Sequence, residues 1–147
     1  MDKLLTKNRK ASFEYEILDK FEAGIVLFGY EAKSLKNGGG NLQGAYVSIH
    51  GNSAFIENFH IAKYQKATLE IYEPKRTRKL LLNKREIDKI SGEMNTKGVT
   101  VIPLACIAKK AFIKIEIALA RGKKKYDKRE SIKKRDQEMR IRRSVKP

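Results

Sequence analysis

Two histidines, one cysteine and a run of three glycines are the features of this 147-residue sequence whose types could carry catalysis or hold a metal or a phosphate. Nucleophilic chemistry needs Ser or Cys beside a base that a third group orients. Cys106 instead lies in Ala105-Cys106-Ile107-Ala108, the setting of a buried structural thiol. His50 and His60 fall on neighbouring predicted strands in different settings, a weak metal pair, and His60 after Phe59 reads as a hydrogen-bonded barrel residue. Gly38-Gly39-Gly40 is not followed by Gly-Lys-Ser/Thr, so it is no phosphate loop. Glu14 and Glu16 share a predicted strand face, which a solvated face explains as well as acid–base chemistry does. The sequence therefore predicts no catalytic residue, no metal ligand and no cofactor.

Polyanion binding is the chemistry that the sequence supports. It holds 33 Lys+Arg against 17 Asp+Glu, a net charge of +16. The basic residues gather in Lys7-Asn8-Arg9-Lys10, in Lys75 to Lys79 with Lys84-Arg85, and in the tail from Arg121 onward. Tyr64, Tyr72 and Tyr126 are available for stacking on bases. Cations for phosphates and rings for unpaired bases are what structured RNA calls for.

Residues 121–147 contain 13 Lys/Arg and 4 Asp/Glu, a net of +9. Their few apolar residues, Ile132, Met139, Ile141 and Val145, bury too little to offset the entropy of ordering. Yet Glu130 precedes Lys134 by four, as Asp136 precedes Arg140 and Glu138 precedes Arg142, each pair contributing roughly 0.2–0.5 kcal/mol to a helix. The tail is expected to be disordered alone and helical against an anionic surface that relieves its self-repulsion.

The elements that must position these residues are mainly short strands. Phe13, Tyr15 and Ile17 alternate with Glu14 and Glu16, and Phe21 to Phe28 is a second β-rich run in which Gly24 marks a bulge or bend. Glu31 to Lys36 is a short helix ended by the glycines. Ala45–His50 and Ser53–Ile61 form a hairpin about Gly51-Asn52, and Leu69 with Ile71 extends a further strand. Asn83 and Glu86 make a capping box for a helix with Leu82, Ile87 and Ile90 on its apolar side, closed at Gly92. Val99–Ala108 and Ala111–Ala120 are the last strands, joined by Lys109-Lys110. About six strands with short helices fit a small β-barrel, which leaves no open edge; an open α+β sandwich fits the same alternation. No apolar stretch reaches the roughly 18 residues of a membrane span, and Met1 to Lys7 lacks a signal-peptide core, so a cytoplasmic protein is expected.

Specific strings go further. They are Asn8-Arg9-Lys10-Ala11, Phe21-Glu22-Ala23-Gly24-Ile25-Val26-Leu27 and Gly29-Tyr30-Glu31-Ala32-Lys33-Ser34-Leu35-Lys36, then Asn41-Leu42-Gln43-Gly44-Ala45-Tyr46-Val47. Arg76-Thr77-Arg78-Lys79-Leu80-Leu81-Leu82-Asn83-Lys84-Arg85-Glu86-Ile87 and Ala120-Arg121-Gly122-Lys123-Lys124-Lys125-Tyr126-Asp127-Lys128-Arg129 follow. Together they closely resemble the bacterial SmpB family of SsrA-binding proteins, over nearly the whole chain.

The resemblance implies an oligonucleotide-binding (OB-like) closed barrel over residues 1–121 with short flanking helices, and a basic C-terminal tail over 122–147. It implies binding to the tRNA-like part of transfer-messenger RNA and delivery to stalled ribosomes in trans-translation, without catalysis. Elongation factor Tu and alanyl-tRNA synthetase would act indirectly, through the RNA. A monomer is expected. Glu22, Leu81 and Lys114 match family positions tied to the RNA, and Asn8 and Arg9 match its basic N-terminal string. Lys10, Lys33 and Arg78 join them as candidate RNA contacts. Lys123, Lys124, Lys125, Tyr126, Asp127, Lys128 and Arg129 open the segment the family uses on the ribosome, where a helix would lie in the empty messenger channel against small-subunit RNA beyond the A site. Tyr126 stands where other members carry His, and Ala62-Lys63-Tyr64 departs from their Ser/Thr-Pro pattern. Apart from the resemblance, Leu81 reads as core and Glu22 as surface. The rival function is a generic single-strand-binding module; a nucleic-acid-processing enzyme lacks candidate residues.

Overall fold

The computed structural model describes residues 2–64 and 72–123. In chain order the elements are β1 (Lys3–Lys7), α1 (Ala11–Glu14), β2 (Tyr15–Ile25), α2 (Gly29–Lys36), β3 (Gly40–Asn41), β4 (Tyr46–His50), β5 (Ser53–Glu57), β6 (His60–Ile61), β7 (Arg78–Leu81), α3 (Lys84–Met94), β8 (Val99–Lys109) and β9 (Phe112–Gly122). Seven strands form one antiparallel sheet in the order β1-β8-β9-β2-β7-β5-β4, and β3 pairs with β6. The sheet curls until β4 packs on β8. Closure is thus by packing; no hydrogen-bonded ladder joins the two edge strands among the described residues.

Alternation along the long strands builds the interior. Ile115, Ile117 and Leu119 of β9 point inward beside Ala23 of β2, Val101 of β8, and Ile56 and Leu80 of β5 and β7. Leu35 of α2 and Ile90 of α3 plug the same core, both fully buried. The Asn83 capping box starts α3: Asn83 Oδ1 accepts from the Glu86 N–H at 2.9 Å and Glu86 Oε1 accepts from the Asn83 N–H at 3.1 Å, an arrangement worth about 1 kcal/mol.

Several local expectations change. Phe13 belongs to α1, whose end is Glu14, so Glu14 and Glu16 share no strand face. Residues 15–25 form one strand because its irregularity falls between Ile17 and Asp19, while Gly24 is paired regularly on both sides. Gly92 lies inside α3, which runs on to Met94. The strand predicted from Ser53 breaks at Asn58, whose φ of 60° turns the chain so that His60–Ile61 pairs with β3. His50 and His60 therefore sit in different sheets. The strand about Leu69 and Ile71 lies outside the described residues.

Pro103, in β8 between β1 and β9, has no N–H to give to either ladder. The β8–β9 register shifts between Pro103 and Ala105, as a proline in a central strand requires. Asn8 braces this place: its Nδ2 donates to Pro103 O at 3.0 Å and its backbone N–H to Leu104 O at 2.8 Å.

Candidate nucleic-acid interface

The middle of β2 is flanked by β9 and β7, and its register sets the site. Gly24 lies opposite Lys114 on β9 and opposite Leu81 on β7, so the three form one cross-strand row. A Cβ on Gly24 would stand 3.2 Å from Leu81 Cβ, so the leucine lies over bare backbone. In β7 the alternation places Arg78 and Leu80 inside and Lys79 and Leu81 outside. Leu81 is thus 55% exposed, and its reading as core from the sequence alone is overturned. Glycine at 24 permits this close approach; the sequence reading had assigned it a bend.

Two residues along β2, Glu22 is opposite Glu116 of β9. Side by side, the two acids repel. Lys109 of β8 reaches over β9 to put its Nζ 2.7 Å from Glu22 Oε2, and Lys20 Nζ stands 3.9 Å from Glu116. The hydrogen bond to Glu22 holds the Lys109 ammonium above its ordinary pKa. The face runs on to the N-terminal segment: a cavity of about 380 Å³ is lined by Arg9, Lys20, Leu104 and Glu116 among others. One surface thus carries Arg9, Glu22, Leu81 and Lys114.

Other expected contacts are elsewhere. Lys10 lines a second cavity of about 470 Å³ with Asn8, Tyr15, Gln43 and Tyr46. Asn8 is half-buried and spends its amide donor on the β8 irregularity. Lys33 stands on α2 with its Nζ 5.7 Å from the Tyr64 ring. Tyr72, expected as a stacking ring, gives its hydroxyl to Ile61 O.

Arg78 is a correction. It is fully buried, with Nε donating to Glu31 Oε2 at 2.6 Å, Nη1 to Phe59 O at 2.6 Å and Nη2 to Pro74 O at 3.1 Å. A guanidinium so placed cannot reach a phosphate. Arg76 Nη2 donates to the other Glu31 oxygen at 2.6 Å while its guanidinium lies 4.3 Å from the Phe28 ring centroid. Burial pushes the Glu31 carboxyl upward, but the bond from Arg76, the Phe28 N–H and Arg78 together hold it below the usual carboxylate range. The basic run at 75–79 thus offers Lys75 and Lys79 to solvent and uses its arginines to hold α2 to β7. Arg78 being two residues from Leu80 was the available signal for its inward direction; Glu31, 47 residues away, left none.

Lys123, expected within the tail, is bound to the barrel: its N–H donates to Glu14 O at 3.0 Å and its Nζ to Ser12 O at 2.8 Å. Lys124, Lys125, Tyr126, Asp127, Lys128 and Arg129 lie outside the described residues. Burial pushes the Cys106 thiol up to about 12, which removes the thiolate that a nucleophile needs. Among the described residues no group of three or more His, Cys, Asp or Glu could hold a metal, and no helix is long and apolar enough to cross a membrane.

The sequence model of one family, SmpB protein, matches residues 5–147. The chain belongs to the SmpB family. Among SmpB relatives it is similar to the SsrA-binding protein of Chlorobaculum tepidum, 52% identical over 130 residues that cover 88% of this chain and 83% of that one. The SsrA-binding protein of Trichodesmium erythraeum is 45% identical over 145 residues, covering 98% and 93%. A solved SmpB chain, from a structure described as "tmRNA-SmpB: a journey to the center of the bacterial ribosome", superposes with a TM-score of 0.70 at 37% identity, covering 86% of this chain and 93% of its own. The mainly-β architecture with a large antiparallel sheet and short helices is the SmpB fold.

Proposed function

We propose that this chain binds the tRNA-like domain of transfer-messenger RNA and delivers it to stalled ribosomes for trans-translation. The observation that carries the reading is the row Lys114-Gly24-Leu81 beside the Glu22–Lys109 pair. An apolar side chain over bare backbone, flanked by ammonium groups, suits a base lying against Leu81 and phosphates on the lysines. Arg9 and Lys20 extend the cationic track. Lys33 and Lys10 are secondary contacts away from this row, Lys33 beside Tyr64 and Lys10 at the second cavity.

The protein acts by binding, not by catalysis, as a cytoplasmic monomer without metal or cofactor. Elongation factor Tu and alanyl-tRNA synthetase reach it only through the RNA. The +9 tail enters the messenger channel of the small subunit when that channel is empty, and Tyr126 stacks near the A site where a histidine would also titrate.

Deleting residues 124–147, which spares Lys123 and its bonds to α1, separates the two roles. The shortened chain should hold the tRNA-like fragment as the full chain does and fail to tag nascent chains. A full chain that binds a homopolymer as well as the fragment would overturn the reading in favour of generic single-strand binding.

A further inference from the structure

Phe112 is the most exposed large apolar side chain among the described residues, at 68%. It stands at the start of β9, next to the Lys110-Ala111 turn, and pairs across β8 with Lys109. Lys114 Nζ is 6.0 Å from its ring centroid, so both side chains are on the outer face. Val26 follows Gly24 by two on the same side of the chain, is 46% exposed and donates its N–H to Lys79 O at 2.9 Å. The β2–β9 pairing ends at Gly24 and Lys114, and Val26 lies just past the end of β2, at the same end of the sheet as Phe112.

Single exposed apolar residues are ordinary. Here Leu81 shares a row with Lys114, Phe112 stands two residues before Lys114 on the same face of β9, Val26 lies just past the end of β2, and Lys79 and Lys114 are around them. A protein partner would need an acidic rim to meet those lysines, and a second copy of this chain would bring its own. A nucleic acid meets both demands, having flat apolar base faces and a negative backbone.

We propose that Phe112 is a base-stacking platform: its ring lies flat on an exposed nucleobase of the bound RNA, Val26 and Leu81 continue the apolar floor, and Lys114 neutralises the adjoining phosphate. This rests on the RNA-binding reading above and extends that surface toward the β8–β9 turn.

The chain contains no tryptophan, so Phe112→Trp gives a single indole reporter at the site. Titrated with the tRNA-like RNA fragment, full-length F112W should bind and lose fluorescence in step with binding. F112A should bind about tenfold more weakly or worse, F112L should fall between, and neither should change the salt slope, because a stacked ring displaces no counterions. An indole signal unmoved at saturating RNA would overturn the platform, as would F112A affinity within twofold of wild type. So would concentration-dependent self-association that F112A abolishes while RNA affinity stays the same. Wild-type protein that fails to bind the fragment would overturn the RNA reading itself, a result distinguishable from all of these.

Discussion

Glu22 and Lys109 are joined across an intervening strand, Oε2 to Nζ at 2.7 Å. Glu22 is on β2, Lys109 on β8, and β9 lies between them. An acid on the surface proposed to bind RNA thereby becomes intelligible. It holds a long flexible cation in one place over the sheet, and it is itself neutralised there.

The two residues should act as one unit. Glu22→Ala and Lys109→Ala are each expected to weaken binding of the tRNA-like fragment several-fold, and the double variant should be little worse than either. Electrophoretic shift of the four proteins measures this; losses that simply multiply would mean separate contacts.

Arg78→Ala should act on stability. It leaves Oε2 of a fully buried carboxylate without its partner, with only Arg76 and the Phe28 N–H still on Oε1, and a broken buried pair costs about 3–5 kcal/mol. Arg76→Ala removes a half-exposed partner of the same Glu31 and should cost much less. Urea unfolding checks both. An R78A midpoint equal to wild type, with RNA binding lost, would return Arg78 to the RNA surface.

Acid should find the same pair. Glu31 is held below its ordinary pKa of about 4.5, so the unfolded chain takes up its proton first as pH falls. The pair's stabilisation is complete above that ordinary value and is lost as pH drops through the lower, folded one. Wild type should therefore lose stability more steeply than Glu31→Gln, which has no such proton to take up, as pH falls below about 4.5. Parallel curves would mean that other carboxylates dominate acid unfolding.

Cys106 should resist thiol reagents in the native state. It is fully buried and its pKa is pushed up to about 12. Labelling at neutral pH is expected only at the rate of unfolding, and full labelling in urea. Rapid native labelling would show that the β8 strand opens locally.

Much of the fold was legible because it is written in local patterns. The Asn83–Glu86 capping box, the β4–β5 hairpin about Gly51-Asn52 and the last two strands follow from period and turn chemistry. The failures at Arg78 and Gly24 share one physical source: partners distant in sequence. Glu31 and Arg78 are 47 residues apart, so the local alternation with Leu80 marks the inward direction of Arg78 but not the carboxylate that balances it. From the sequence Gly24 reads as a bulge or bend, because the leucine that overlies it comes from β7. Leu81 was read as interior because the triplet at 80–82 hides which way each side chain points until Leu80 is fixed inside. The charge clusters named the ligand class, but only the strand register separates Lys114 and Leu81, which share a row, from Arg78, which does not.

The central claim is that the outer face about Gly24 is where RNA docks, and salt-dependent binding of the tRNA-like fragment tests it most directly. Lys114→Ala should weaken binding and lower the log–log salt slope by about one, while Leu81→Ala should weaken it with the slope unchanged. Both variants binding with wild-type affinity and slope would contradict the account.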